Sequence, residues 1–172
     1  MKFLLSLLLT IAIAGSAIAG ESFSGKVMEV REGDLLVVSV GDGVMINVRL
    51  DEIDCPESGQ NYYEEAIKYT EKLALGKEVT VSVSEKSDDD TVTGIVTINN
   101  RKGTNLNYKL VAAGLAWHLQ QGLTYTEHTD MMLDLMDEAQ AKSKGLWKEG
   151  KPMAPWAYKQ RQSMYEAKSS MD

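Results

Sequence analysis

Apolar and polar positions alternate through three successive runs near the start of the chain, FSGKVMEV, DLLVVSV and VMINVRL. A period of two marks strands with one face buried. The runs are parted by REG and GDG, whose glycines suit tight turns, so Phe23 to Leu50 is predicted to form a three-stranded meander. The period then lengthens: NYYEEAIKYTEKLAL sets Tyr62, Ala66, Tyr69 and Leu73 three and four residues apart and stops at Gly76. This is the pattern of an amphipathic helix closed by a left-handed glycine. Alternation returns in EVTVSVS, with Val79, Val81 and Val83 on one face, and in TVTGIVTI; the polar loop EKSDDD joins these two strands. Leu106, Leu110 and Val111 mark a short helix ended by Gly114. An apolar connector, LAWHLQQ, leads into a long helix from about Thr126 to Lys144, with Thr126 as its cap and Met132, Leu135, Met136 and Ala139 as its buried stripe. Methionines at that spacing fill a core. The tail GLWKEGKPMAPWAYKQ, with Trp147 and Trp156 around two prolines, is read as an extended strap, and the polar residues 162–172 as a fraying terminus.

Three strands, a helix, two strands and further helices in one unit fit a mainly β, α+β fold: a five-stranded Greek-key barrel of the oligonucleotide- and oligosaccharide-binding (OB) type with about three packed helices. Periodicity does not give strand order, so an open α+β sheet also satisfies the pattern.

The first nineteen residues carry a single charge, Lys2, then FLLSLLLTIAIAG, then Ala17 and Ala19 in the small-x-small spacing of a signal peptidase site. They read as a cleaved export signal, with an uncleaved anchor as the alternative. Residues 20–161 are then the folded domain, exported to the periplasm or the medium without stable membrane association. The charge is −7, from 18 Lys and Arg against 25 Asp and Glu, and cleavage removes one more cation. Such a chain cannot hold nucleic acid by bulk electrostatics, which rests on basic side chains neutralising phosphates. Any phosphate has to be met locally, by a few cations or a metal. Cys55 is alone, which excludes an internal disulfide, and with only His118 and His128 beside it a zinc site of the usual kind is nearly excluded. A metal here would be a hard one held by oxygen.

Oxygen donors converge in NVRLDEIDCPESGQ, where a strand delivers Asp54, Cys55, Pro56 and Glu57 to a turn. An acidic turn is by default merely solvated. The runs VMEVREGDLLVV, INVRLDEIDCPESGQ, GKEVTV, NLNYKLVAAGLAWH, DEAQAKSKGLW and PMAPW, however, resemble in order and spacing the staphylococcal nuclease (thermonuclease-like) family, over roughly Lys26 to Trp156. The resemblance implies the OB barrel and a calcium-dependent phosphodiesterase acting on single-stranded DNA or RNA. Residue by residue it implies Asp34 and Asp54 as metal carboxylates, the Cys55 backbone carbonyl as a third metal ligand, Glu57 as the group that orients or deprotonates the attacking water, and Arg49 as the first of two phosphate-binding arginines. The second is missing: SDDDTVTGIV stands where the family places it, and the aligned position is Thr91. The nucleotide-pocket tyrosines are likewise replaced, by Gln120, Gln121 and Gly122.

A charge-stabilising arginine is worth about 10³ to 10⁵ in rate by analogy with arginine fingers. Its loss therefore implies a nuclease of reduced or altered activity, or else a non-catalytic OB-fold binding module that keeps the fold and the cation. Lys86, Arg101 and Lys102 are the nearby cations that could substitute, each read more simply as a solvated loop charge. Cys55 reads as a small core residue. His118 and His128 read as surface or packing residues, since neither is placed by sequence to act as a base for a cysteine nucleophile.

Overall fold

The computed structural model describes residues 21–87, 91–119 and 127–169. The nineteen residues read as an export signal, Gly20, the aspartates 88–90, Gln120, Gln121, Gly122 and Thr126, the expected cap, lie outside them. The strands are β1 (Ser22–Glu32), β2 (Leu35–Gly41), β3 (Val44–Leu50), a two-residue β4 (Ile53–Asp54), β5 (Glu78–Lys86), β6 (Thr91–Ile98), and the short β7 (Thr104–Asn105) and β8 (Trp117–His118). The α-helices are α1 (Tyr63–Ala74), α2 (Leu106–Ala112), α3 (Glu127–Ala141) and α4 (Pro155–Ser169), with a 3-10 turn over Gly145–Glu149.

The main sheet runs β3-β2-β1-β5-β6-β7, and β3 also pairs with β6, which closes five strands into a barrel. That closure is parallel, Asn47 opposite Thr91 and Arg49 opposite Thr93, whereas the neighbouring ladders are antiparallel. The expected OB barrel is therefore present, and the open sheet is excluded. Val27, Leu36, Val38, Val48, Val79, Val81 and Val96 fill it with no exposed surface. They are the inward set of the alternation read from the sequence.

α1 turns Ala66, Thr70 and Ala74 onto the barrel. In α2 the side chain of Asn105 accepts from the Tyr108 N–H and caps the first turn. The buried Asn107 accepts from the Val96 N–H at 3.1 Å and donates to the Asp51 carbonyl at 2.8 Å, fastening the corner after β3 to the barrel wall. Beyond α3, Gly145 crosses Gly114: the Leu146 N–H donates to the Gly114 carbonyl at 2.9 Å, and a Cβ on either glycine would run into the other segment's backbone. Trp117 and Trp147 meet edge to face beside this crossing, their ring centroids 5.5 Å apart. No helix among the described residues is long and apolar enough to cross a membrane.

Two expectations change. The segment after Pro155 is a helix rather than an extended strap, and it runs past Arg161 to Ser169. Proline is well tolerated in the first turn of a helix, and nothing after it in WAYKQRQSMYEAKS breaks one. The LAWH connector is also more than a connector: Trp117 and His118 pair with Asp54 and Ile53.

Candidate active site

Asp34 begins the site. It follows Gly33 in the turn between β1 and β2, where a Cβ on the glycine would sit 2.7 Å from that of Ala66 and 2.8 Å from the Cys55 sulfur. Only glycine lets α1 and the Cys55 turn close on this point, and the Thr70 hydroxyl locks it by donating to the Gly33 carbonyl at 2.6 Å. Asp34 is in consequence only 3% exposed. Its Oδ2 accepts from the Cys55 N–H at 3.3 Å and its Oδ1 from Arg49 at 3.4 Å. Burial raises its pKa to about 6; Arg49 and the Cys55 N–H pull it back, while Asp54 and Glu32 push it further up.

Arg49 leaves β3 toward the same point and is held by two carboxylates, Asp34 and, at 3.2 Å, Glu32. Burial disfavours its charge, but those carboxylates outweigh burial and keep the guanidinium protonated. Asp54 is buried too, and its carboxyl is raised chiefly by burial, with Lys159 opposing and Glu57 assisting. Its aim is fixed by β8: Asp54 pairs with Trp117, and the Leu119 N–H donates to the Glu52 carbonyl at 2.7 Å. Glu57 stands in the next turn, its N–H donating to the Gln60 side chain at 2.9 Å. Cys55 is buried within the core and its thiol is pushed well up by burial, which confirms a packing role for the side chain.

One side chain that the sequence reading missed reaches this cluster. Lys159, in the first turns of α4, lies 2.8 Å from Glu57 Oε1 and 3.5 Å from Asp54 Oδ1. The three cations weighed from sequence do not: Lys86 pairs with Glu21 on another face, and Arg101 and Lys102 are exposed in the turn before β7. Nothing local in PWAYKQ distinguishes Lys159 from a surface lysine, so only the docking of α4 reveals it.

Asp34, Arg49, Asp54, Glu85, Thr93 and Lys159 line one hollow of about 170 Å³. Thr91 is not there. It sits opposite Asn47 and lines a larger hollow of about 510 Å³, whose walls include Phe23, Val44, Met45 and Val83. That hollow is mainly apolar, and the carboxylates that could hold a cation are in the smaller one. Opposite Arg49 stands Thr93, with Glu85 paired to it on the far side. The residue that faces Arg49 across the barrel closure is thus two positions beyond the one aligned from sequence, about 7 Å along a strand. Neither threonine supplies a positive charge opposite Arg49.

The histidines form a partly buried polar chain, the packing half of the reading made from sequence. His118 Nδ1 donates to the Glu52 carbonyl at 3.0 Å, His128 lies 3.6 Å from the Glu52 carboxylate, and Tyr108 hydrogen-bonds the His128 ring.

For a hard divalent cation the donor chemistry fits. Among the described residues no three His, Cys, Asp or Glu side chains converge as a complete metal cage. Asp34 and Asp54 nevertheless give two desolvated carboxylates, and the Lys159 ammonium already stands against Asp54 as a tethered cation. Oxygen from the backbone, water and a ligand commonly completes such a sphere.

The fold is a closed OB barrel whose rim gathers two buried carboxylates, an arginine and a lysine. The family described as staphylococcal nuclease homologue matches residues 47–149, and this chain belongs to it. Its relatives include an uncharacterised endonuclease of Haemophilus influenzae, 29% identical over 95% of this chain and 88% of that protein. An uncharacterised endonuclease of Escherichia coli is 32% identical over 80% of this chain and 85% of its own. A micrococcal nuclease of Shigella flexneri is 30% identical over 82% of this chain and 83% of its own. Arg49, Asp54 and Glu57 fall inside the matched residues; Asp34 and Lys159 fall outside them.

Proposed function

We propose that the protein is an exported, calcium-dependent nuclease that hydrolyses phosphodiester bonds of single-stranded DNA or RNA. The observation that carries this reading is the desolvated Asp34 carboxylate, held beside Asp54 and Arg49 at the mouth of one hollow. A structural role does not call for two buried carboxylates together, because each burial is costly unless a cation repays it. Membership of the family and the relatives' names support the same activity.

Asp34, Asp54 and the Cys55 carbonyl would hold the calcium ion, which when bound supplies polarisation of the phosphate and local positive charge. The Arg49 fork, fixed by Glu32 and Asp34, presents N–H donors to the phosphate oxygens. Glu57 takes the proton of the attacking water as its oxygen bonds to phosphorus; the bond from phosphorus to the departing sugar oxygen breaks, and that oxygen takes a proton from solvent. The acidic surface gives substrate no long-range attraction, so affinity rests on this mouth.

Incubating short single strands of DNA and RNA with the protein is expected to give cleavage with calcium and none with chelator. Intact strands under both conditions, with calcium binding confirmed by a melting shift, would leave the second reading, a non-catalytic binding module. Thr93 facing Arg49, with acidic Glu85 paired beyond it, where a second arginine would serve catalysis, favours that alternative.

Export predicts Gly20 as the mature N-terminus. Mass spectrometry of protein from the producing cell is expected to show loss of the first nineteen residues. Recovery of Met1 in a membrane fraction would establish an anchor instead.

A further inference from the structure

We propose that Lys159 is the second phosphate-facing cation of this site, carried in by the C-terminal helix and doing the work of the arginine that the barrel wall lacks. The inference rests on the nuclease reading and adds a residue to it.

Lys159 is held in place from several sides. Pro155 is buried at the start of α4, the Gln60 side chain donates to the Met153 carbonyl at 2.8 Å, and Asn61 donates to Glu149 at 2.8 Å. Tyr158 lies over Gly59, where its hydroxyl would be 2.6 Å from any Cβ and where φ is +90°. These contacts bind the start of α4 to the very loop that carries Glu57. The next residue after Tyr158 is Lys159, so its ammonium is delivered to Glu57 and Asp54 by a docked helix rather than by a wandering surface chain.

Position and chemistry then agree. Lys159 and Arg49 line the same hollow from different elements, Arg49 paired with Asp34 and Lys159 with Asp54. On the β6 side the facing residue is Thr93 and its neighbour is acidic Glu85, so that wall supplies no positive charge. An ammonium has three donors on a flexible stem. Lys159 keeps one on Glu57 Oε1 and turns another to a phosphate oxygen entering beside Arg49. Its side chain is 51% exposed, which leaves the head free to make that turn. In the step itself it transfers no proton; it stabilises charge accumulating on the phosphate oxygens and holds Glu57 Oε1 in place.

The test is a double-mutant cycle on the full protein with Lys159→Met and Thr93→Arg, with Lys159→Arg as the conservative control. Removing one preorganised donor to developing charge costs about 10² to 10³ in rate. Lys159→Met is expected to lose that much kcat/KM, and Lys159→Arg to retain most of it. Thr93→Arg is expected to change the parent less than tenfold but to recover tenfold or more in Lys159→Met, since either cation meets the same phosphate. Calcium affinity, read from the melting shift, is expected to stay the same or tighten in Lys159→Met, because a competing cation has left Asp54. A purely structural role would instead lower the melting temperature and helical circular dichroism, with no rescue by Thr93→Arg. Activity of Lys159→Met within threefold of the parent would overturn the proposal. If the parent cleaves nothing, the nuclease reading fails and the lysine is judged by binding: a fluorescein-labelled single strand should bind the parent at least fivefold tighter than Lys159→Met in calcium, and equal binding overturns it.

Discussion

Glu57→Gln is expected to lower calcium-dependent cleavage by about 10²- to 10⁴-fold, the usual contribution of a positioned general base. Glutamine keeps the volume and an acceptor for Lys159, so the docking of α4 on the loop is preserved. What it cannot do is take the proton of the attacking water. Calcium should still raise the melting temperature of the variant as in the parent, because the buried carboxylates Asp34 and Asp54 are untouched. Single-turnover cleavage of a short labelled strand, run beside a calcium melting series, separates the two effects. A variant within tenfold of the parent would show that Glu57 only anchors Lys159.

The second large effect concerns stability. Asp34 has a folded pKa of about 6 against an ordinary 3.8, chiefly because it is buried. A carboxyl raised in this way binds its proton better in the folded chain than in the unfolded one. Its contribution is therefore fully present below about pH 4 and is lost as pH rises through about 6. At neutral pH the ionised group costs the metal-free protein about 3 kcal/mol, at 1.36 kcal/mol per pKa unit. Asp34→Asn removes that cost while keeping an acceptor for the Cys55 N–H. In chelator at pH 7 the variant should melt higher than the parent, by up to about 2 to 4 °C per kcal/mol, and the difference should vanish near pH 4. In calcium the order should reverse. A ligand at a hundredfold its Kd stabilises by about 2.7 kcal/mol, and the variant forfeits it. If Asp34→Asn melts lower than the parent in chelator at pH 7, the carboxylate is serving Arg49 rather than awaiting a cation.

These experiments bear on how a family with a shared barrel distributes its charges. The barrel wall presents a threonine, not a cation, at the position facing Arg49, and a helix outside the family's matched residues reaches the same carboxylates with a lysine. A phosphate requires positive charge at a place, and any element that reaches the place can supply it.

The sequence by itself determined the barrel's strands and their inward faces. Val79, Val81 and Val83 alternate with polar neighbours, and they are buried. It also determined the carboxylate turn, because Asp54, Cys55 and Glu57 lie within a few residues of one another and their turn is local. Gly33 and Gly114 were needed where backbones close on each other, and glycine announces such places. What only the tertiary structure decided is everything set by contacts between distant segments. The parallel pairing of β3 with β6 put Thr93, not Thr91, across from Arg49, and register across a barrel closure has no local signal because both threonines occupy the same face of the strand. The pairing of Asp54 with Trp117 turned an apolar connector into the strand that aims a carboxylate. Lys159 became part of the site only because Pro155, Met153 and Tyr158 dock α4 on the Glu57 loop; in the chain it is one basic residue in a polar tail, about a hundred positions from the carboxylate it touches. Periodicity reports which face of an element is buried, and it carries no information about which distant element buries it.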